Sequence, residues 1–171
     1  MKLKEIFETI AIGENIDLDN PMASLDNFVA EKLLKNETLA RTFKIKNSDM
    51  EELYSEAYTA YTADQYEKAS LFFRWLAIFN PFETKYWMGW GASNQLLNNN
   101  EQALKAYAMA ALLDTRDPYP HYHAYECYMS MNDGREALIA LEDARVRALR
   151  QPLYSELRQE IESLQRGKKH A

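Results

Sequence analysis

"HYHAYEC" brings together His121, His123 and Cys127, residue types able to bind a metal or attack a substrate. On a helix His121 and His123 stand roughly 200° apart around the axis, so in that conformation they do not readily share one ion. Cys127, the single cysteine, excludes an internal disulfide framework. With no base pattern around it, it reads as a small packed hydrophobe rather than a nucleophile. The chain has no phosphate-cradling glycine loop, zinc-ligand spacing or serine nucleophile elbow. The expectation is a protein without metal, cofactor or catalysis. The sequon "NET" at 36–38 matters only in a secreted chain.

Aromatic recognition is the other chemistry on offer. In "YSEAYTAY", Tyr54, Tyr58 and Tyr61 follow one another at helical spacing. With Tyr54 at 0°, Tyr58 sits at about 40° and Tyr61 at about −20°, whereas Leu53, Ala57 and Ala60 cluster near about −100°, −60° and −120°. The tyrosines form a stripe beside the apolar face rather than on it. Tyrosine suits binding because it brings a large apolar body, one hydroxyl and few side-chain angles to freeze.

The elements that must hold this stripe follow from composition and period. Among 171 residues, 20 are Lys or Arg and 26 Asp or Glu, a net charge of −6. Such a balance gives no electrostatic footprint for nucleic acid or an anionic membrane. The opening "MKLKEIFETIAIGENIDLDN" has only a short apolar run broken by charges, so it reads neither as signal peptide nor as membrane span. A soluble cytoplasmic protein with no stable membrane association is expected. Few glycines and prolines and no alternating polarity argue for helices throughout.

In "YEKASLFF", "NEQALKAY" and "GREALIAL" the alanines Ala69, Ala103 and Ala137 are separated by 34 residues, the tetratricopeptide period. Counted from residues 50, 84 and 118, position 8 holds Ala57, Gly91 and Tyr125, position 24 holds Phe73, Tyr107 and Leu141, and position 27 holds Leu76, Ala110 and Ala144. Small residues at positions 8 and 20 let paired helices approach, the bulky residue at 24 fills the space between them, and Pro81 ends a helix. Tyr125, where a small residue is usual, predicts a splayed or irregular third pair. Ser48 with Glu51 predicts a capping box, and "NPFET", "NNNEQ", "DPYP" and "MNDG" predict turns.

The predicted fold is all-α: three tandem tetratricopeptide repeats in a short right-handed solenoid. The repeats occupy 48–150 (about 50–83, 84–117 and 118–150), after a helical extension over 1–47. A capping helix and tail at 151–171 restart at Pro152 and present Leu153, Leu157, Ile161 and Leu164. Leu25, Phe28, Val29, Leu33 and Leu34 in the extension need a partner surface.

The concave side of such a stack is lined by the first helix of each pair and commonly holds an extended peptide. Its expected lining is Tyr54, Tyr58 and Tyr61 from repeat one and Lys85, Met88, Gly89, Ala92 and Gln95 from repeat two. Repeat three adds Tyr119, Tyr122, His123, Glu126 and Met129. Gly89 and Ala92 are expected to leave empty volume between aromatic walls. Tetratricopeptide proteins that grip carboxylate-ended chaperone tails use lysine and asparagine at sites here occupied by Tyr54, Tyr58, Gly89, Tyr119 and His123, which disfavours that class.

Residues 25–150 instead resemble the class II chaperones of bacterial type III secretion. The resemblance is carried in order by "LDNFVAEKLLKNETLA", "SDMEELYSEAYTAYTADQYEKASLFFRWLAIFNPFETKYWMGWGASNQL" and "YPHYHAYEC". It departs at Trp87, Trp90 and Tyr125, where small side chains are more typical. The resemblance implies a bacterial cytoplasmic, non-enzymatic chaperone that holds an extended segment of a secreted translocator soluble and export-competent. Another secreted client of the same apparatus, such as a gatekeeper or plug protein, and an adaptor in a multiprotein assembly are the alternatives. It also implies a homodimer through about residues 22–40, with Phe28, Leu33 and Leu34 as contacts; packing of this helix on the first repeat is the competing reading.

Overall fold

The computed structural model describes Lys35 and residues 38–167. Phe28, Leu33 and Leu34, with the dimer contact expected of them, lie outside the described residues. Among the described residues the regular structure is helical: α1 (Leu39–Thr42), α2 (Asn47–Thr62), α3 (Tyr66–Phe79), α4 (Thr84–Leu96), α5 (Asn100–Leu113), α6 (Tyr119–Ser130) and α7 (Gly134–Ala148). A single 3₁₀ turn, Pro152–Tyr154, then leads into α8 (Ser155–Gly167). Helices α2/α3, α4/α5 and α6/α7 are the three predicted pairs. The first helix of each pair also touches the next first helix, α2 against α4 and α4 against α6, so these three form one inner wall.

The pairs turn by one repeated device. Asp64, Asn98 and Asn132 all adopt left-handed backbone, with φ of 57°, 59° and 60°, and they stand 34 residues apart. Asn and Asp tolerate this conformation better than other side-chain-bearing residues. In each turn the next residue's N–H reaches back to close the helix end: Gln65 to the Ala60 carbonyl, Asn99 to Asn94 and Asp133 to Tyr128, each at 2.9 Å.

Packing follows the repeat register. Ala69, Ala103 and Ala137 are fully buried, and Phe73, Tyr107 and Leu141 are 3%, 1% and 1% exposed. Tyr125 does not splay the third pair, since α6 and α7 pack along their lengths as the other pairs do. Its ring lies against Tyr122, 6.0 Å between centroids, in a cluster where α7 contributes only Ala137, Ala140, Leu141 and Ala144. Leu141, in place of the aromatic Phe73 and Tyr107 of the other repeats, leaves room for the Tyr125 ring. Trp87 and Trp90 are core as well; the Trp87 indole donates to the Pro81 carbonyl at 2.8 Å.

Two terminal expectations need correction. The first repeat helix begins at Asn47, one residue before Ser48. Its cap is the Asp49 carboxylate, which accepts the Lys46 backbone N–H at 3.4 Å. Sequence favours Ser48 by type, but the helix starts earlier because Asp49 can reach back from its first turn. In the tail, Leu157 and Ile161 are buried and Leu164 packs beside them. Leu153 is 80% exposed, because the 3₁₀ turn rotates it off the apolar face of α8.

Helix α4 is the most tightly held element. A Cβ at Gly91 would stand 2.5 Å from Cε1 of Tyr107, and one at Gly89 would run into the Phe73 ring. Replacing helical glycine by alanine gains up to about 1 kcal/mol of propensity, but forcing a methyl into a filled core costs about 1–3 kcal/mol. Tyr107 is buried and fixed by a hydrogen bond to Gln95, so the steric term wins. Gly91→Ala should therefore lower the urea midpoint with an unchanged slope, and a midpoint equal to or above the wild type would contradict the close approach.

Candidate peptide-binding groove

The inner wall carries two distinct regions. The first is a cleft of about 500 Å³ that brings together seven expected residues, Tyr54, Tyr58, Tyr61, Lys85, Met88, Gly89 and Ala92, with four that sequence reasoning missed, Phe73, Thr84, Asp114 and Asp117. Tyr54 is half-buried and braced: its ring contacts Phe73 at 6.0 Å and Tyr86 at 5.8 Å, and the Lys85 ammonium sits 4.3 Å from its centroid. Lys85 also pairs with Glu51 at 3.1 Å. Tyr58, by contrast, is 56% exposed. Tyr61 is half-buried against the Tyr66 ring; burial, then the neighbouring Tyr58 hydroxyl, raises its pKa.

Gly89 corrects one expectation. The volume it leaves is not empty, because the Phe73 ring from α3 fills it and forms part of the cleft floor. Position 24 pointed to Phe73 as inter-helix filler; that the filler reaches the groove through a glycine is visible only in three dimensions.

The second region, on α4 and α6, is a polar and aromatic strip. The Tyr107 hydroxyl donates to Gln95 Oε1 at 2.7 Å, Gln95 Nε2 donates to Glu126 Oε2 at 3.0 Å, and the same oxygen lies 2.8 Å from His123 Nδ1. The His123 ring stacks on Tyr107 at 5.3 Å and on Tyr119 at 6.2 Å. Burial alone would raise the Glu126 carboxyl, but hydrogen bonds from His123 and Gln95 outweigh it and hold the pKa below the ordinary range. Tyr119 and Met129 are 42% and 40% exposed.

Tyr122 does not join this surface. It is 8% exposed, and its hydroxyl donates to Glu160 of α8 at 2.6 Å. Burial and that carboxylate push its own pKa well up. The capping helix, which has no counterpart in the repeat register, has covered it. Tyr154, from the turn before α8, replaces it at the edge by contacting Tyr119 at 5.8 Å.

The two histidines diverge as the helical angle requires. His123 joins the strip, whereas His121 lies 4.0 Å from Asp143 of α7, and burial lowers its pKa. No group of three or more metal-ligating side chains occurs among the described residues, nor is any helix there long and apolar enough to cross a membrane. Cys127 is fully buried, and its thiol is pushed up to about 11, by burial first and Glu126 second. Two units of pKa cut the thiolate fraction about 100-fold. At pH 8, Ellman's reagent should therefore label the native protein at least about 100-fold more slowly than the urea-unfolded chain; comparable rates would mean that Cys127 is accessible.

A three-pair solenoid with an aromatic cleft on its inner wall defines a tetratricopeptide-repeat protein. Known proteins narrow this class. The chain is 41% identical to a chain of the CopN-Scc3 complex, covering 95% of this chain and 97% of that one with a TM-score of 0.82. It is 27% identical to the type III secretion chaperone SycD of Yersinia enterocolitica, solved with a peptide of the translocator YopD; the match covers 73% of this chain and 95% of that chain, with a TM-score of 0.69. Among curated proteins, the low calcium response locus protein H of Yersinia pseudotuberculosis is 28% identical over 127 residues, 74% of this chain and 76% of the relative. The chaperone SicA of Salmonella dublin is 31% identical over 100 residues, and this chain spans 61% of it. No family model matches. The chain belongs to the class II type III secretion chaperones.

Proposed function

We propose that the protein holds an extended segment of a secreted translocator along its inner wall, keeping the client soluble and export-competent in the bacterial cytoplasm. The observation that carries this is the cleft in which a braced Tyr54 and a largely exposed Tyr58 flank a Phe73 floor. A client with membrane-seeking segments aggregates when those segments are left uncovered. An extended strand can bury apolar side chains in such a cleft without folding. The work is binding rather than catalysis.

A second reading has its own support. The match to the CopN-Scc3 complex extends over 95% of this chain, whereas the match to SycD with its translocator peptide covers 73%. A client resembling CopN rather than a translocator is therefore the alternative. Co-expression separates the two: whichever client passes from inclusion bodies into a soluble one-to-one complex is the partner.

Tyr58 is exposed in the free protein, so Tyr58→Ala should leave thermal unfolding unchanged. A truncated anchor tyrosine costs about 2 kcal/mol, or about 30-fold in affinity. Unchanged affinity for the co-purifying client, measured by calorimetry, would sink the groove assignment. The proposal includes a homodimer through Phe28, Leu33 and Leu34; Leu33→Glu should convert a sedimenting dimer into monomer, and a wild-type monomer at tens of micromolar would refute it.

A further inference from the structure

The edge of the tyrosine cleft carries a charge that its apolar lining does not explain. Asp114 and Asp117, from the turn between α5 and α6, line the same cleft as Tyr58, Met88, Gly89 and Ala92, and both are half-buried. Each carboxylate spends one oxygen on its own turn: Asp114 Oδ1 accepts the Arg116 N–H at 3.0 Å, and Asp117 Oδ1 accepts the Tyr119 N–H at 2.9 Å. Arg116 reaches Asp114 only at 4.0 Å with its side chain 83% exposed, a geometry worth little in water. Among the described residues Asp117 forms no ion pair, and the two imidazoles that act on it, His123 and His121, lie against Glu126 and Asp143. The cation lining the cleft, Lys85, is already engaged by Glu51 and the Tyr54 ring. The uncompensated charge at the cleft is therefore negative.

The repeat register shows that this pair is local. The equivalent positions are Asn80 and Glu83 one repeat earlier and Ala148 and Gln151 one repeat later. Two aspartates together occur only where repeats two and three meet. Turn-making accounts for one oxygen of each residue, and asparagine would make the same turns, so the turns do not account for the charge.

We propose, resting on the groove reading above, that the client segment places a lysine or arginine between Asp114 and Asp117 next to the apolar side chain seated against Tyr58. Charge complementarity selects this occupant: an extended chain with an acidic residue at that point would bring like charges together in a half-buried site, whereas a cation gains two charge-assisted hydrogen bonds. Burial raises the Asp117 pKa against the opposing pull of the Tyr119 N–H, and an incoming cation offsets the cost of that burial by pairing with the carboxylate. Apolar pockets set how firmly a segment is held, and the aspartate pair sets its register along the groove.

The test uses the full chain and a library of ten-residue peptides with apolar residues at alternate positions and Lys, Gln or Glu at the others. Peptides selected on the wild type should be enriched in Lys at one position beside an apolar anchor. Resynthesis with Gln there should weaken binding about tenfold, and Glu should weaken it further. The Asp114→Asn/Asp117→Asn double variant, which keeps both backbone hydrogen bonds, should bind the Lys and Gln peptides alike. Absence of Lys enrichment, or a Lys preference that survives in the double variant, overturns the proposal. If the selected peptides bind Tyr58→Ala as tightly as the wild type, the groove reading itself fails and takes this one with it. Charge-blind binding that still depends on Tyr58 removes only the role given to Asp114 and Asp117.

Discussion

Two absent side chains on α4 govern the molecule. Gly89 admits the Phe73 ring from the preceding pair, and Gly91 admits the Tyr107 ring from its own partner helix. Glycine inside a helix costs about 1 kcal/mol relative to alanine, but each large side chain buried in return contributes about 1.5–3 kcal/mol. The exchange favours the close approach at both positions. It also decides what the inner wall is made of, because both rings come through from the second helices. Phe73 becomes part of the cleft floor, and the Tyr107 hydroxyl enters the groove strip. Core and inner wall are thus built from the same rings.

The polar strip depends on the same approach. Tyr107 anchors Gln95, Gln95 anchors Glu126, and Glu126 holds His123 against the Tyr107 ring. The closed circuit ties repeat two to repeat three by side chains as well as by apolar packing. In a half-buried setting each bond strengthens its neighbours, and the cost of leaving one member unpaired rises accordingly. A polar circuit of this kind fixes the angle between repeats more sharply than interchangeable aliphatic contacts, and that angle sets the shape of the groove.

Much of this was legible in the chain. The period of 34 located the alanines, the fillers at position 24 and the inner-wall residues, since a repeat register assigns every position a face. The left-handed residues Asp64, Asn98 and Asn132 share the period, so the turn geometry was written there too. The register could not show what lies on top of a face. Tyr122 has an inner-wall position but is covered by α8, an element outside the repeat. Asp114 and Asp117 sit in a turn that composition marks only as a turn, and their access to the cleft depends on how repeat two stacks on repeat three. Ser48 fails as a cap because a helix end is set by whichever side chain reaches the free backbone groups, here Asp49. Leu153 leaves the apolar face because the 3₁₀ turn before α8 breaks the helical register.

The contrast between Tyr54 and Tyr58 bears on how a chaperone can hold a client and still release it. Tyr54 is fixed before any ligand arrives, by Phe73, Tyr86 and Lys85, so one wall of the cleft requires no ordering on binding. Tyr58 keeps more than half of its surface in water, so on the proposed reading its burial under a client is where apolar free energy would be gained. A preformed wall favours fast, specific seating. A small number of exposed anchors limits how much surface an extended segment can cover, and the backbone of such a segment must be ordered at a cost of about 1–2 kcal/mol per residue. These opposing terms leave a net affinity set by a few side chains. On the proposed reading, a segment seated by a few separate anchors is released by freeing them one at a time.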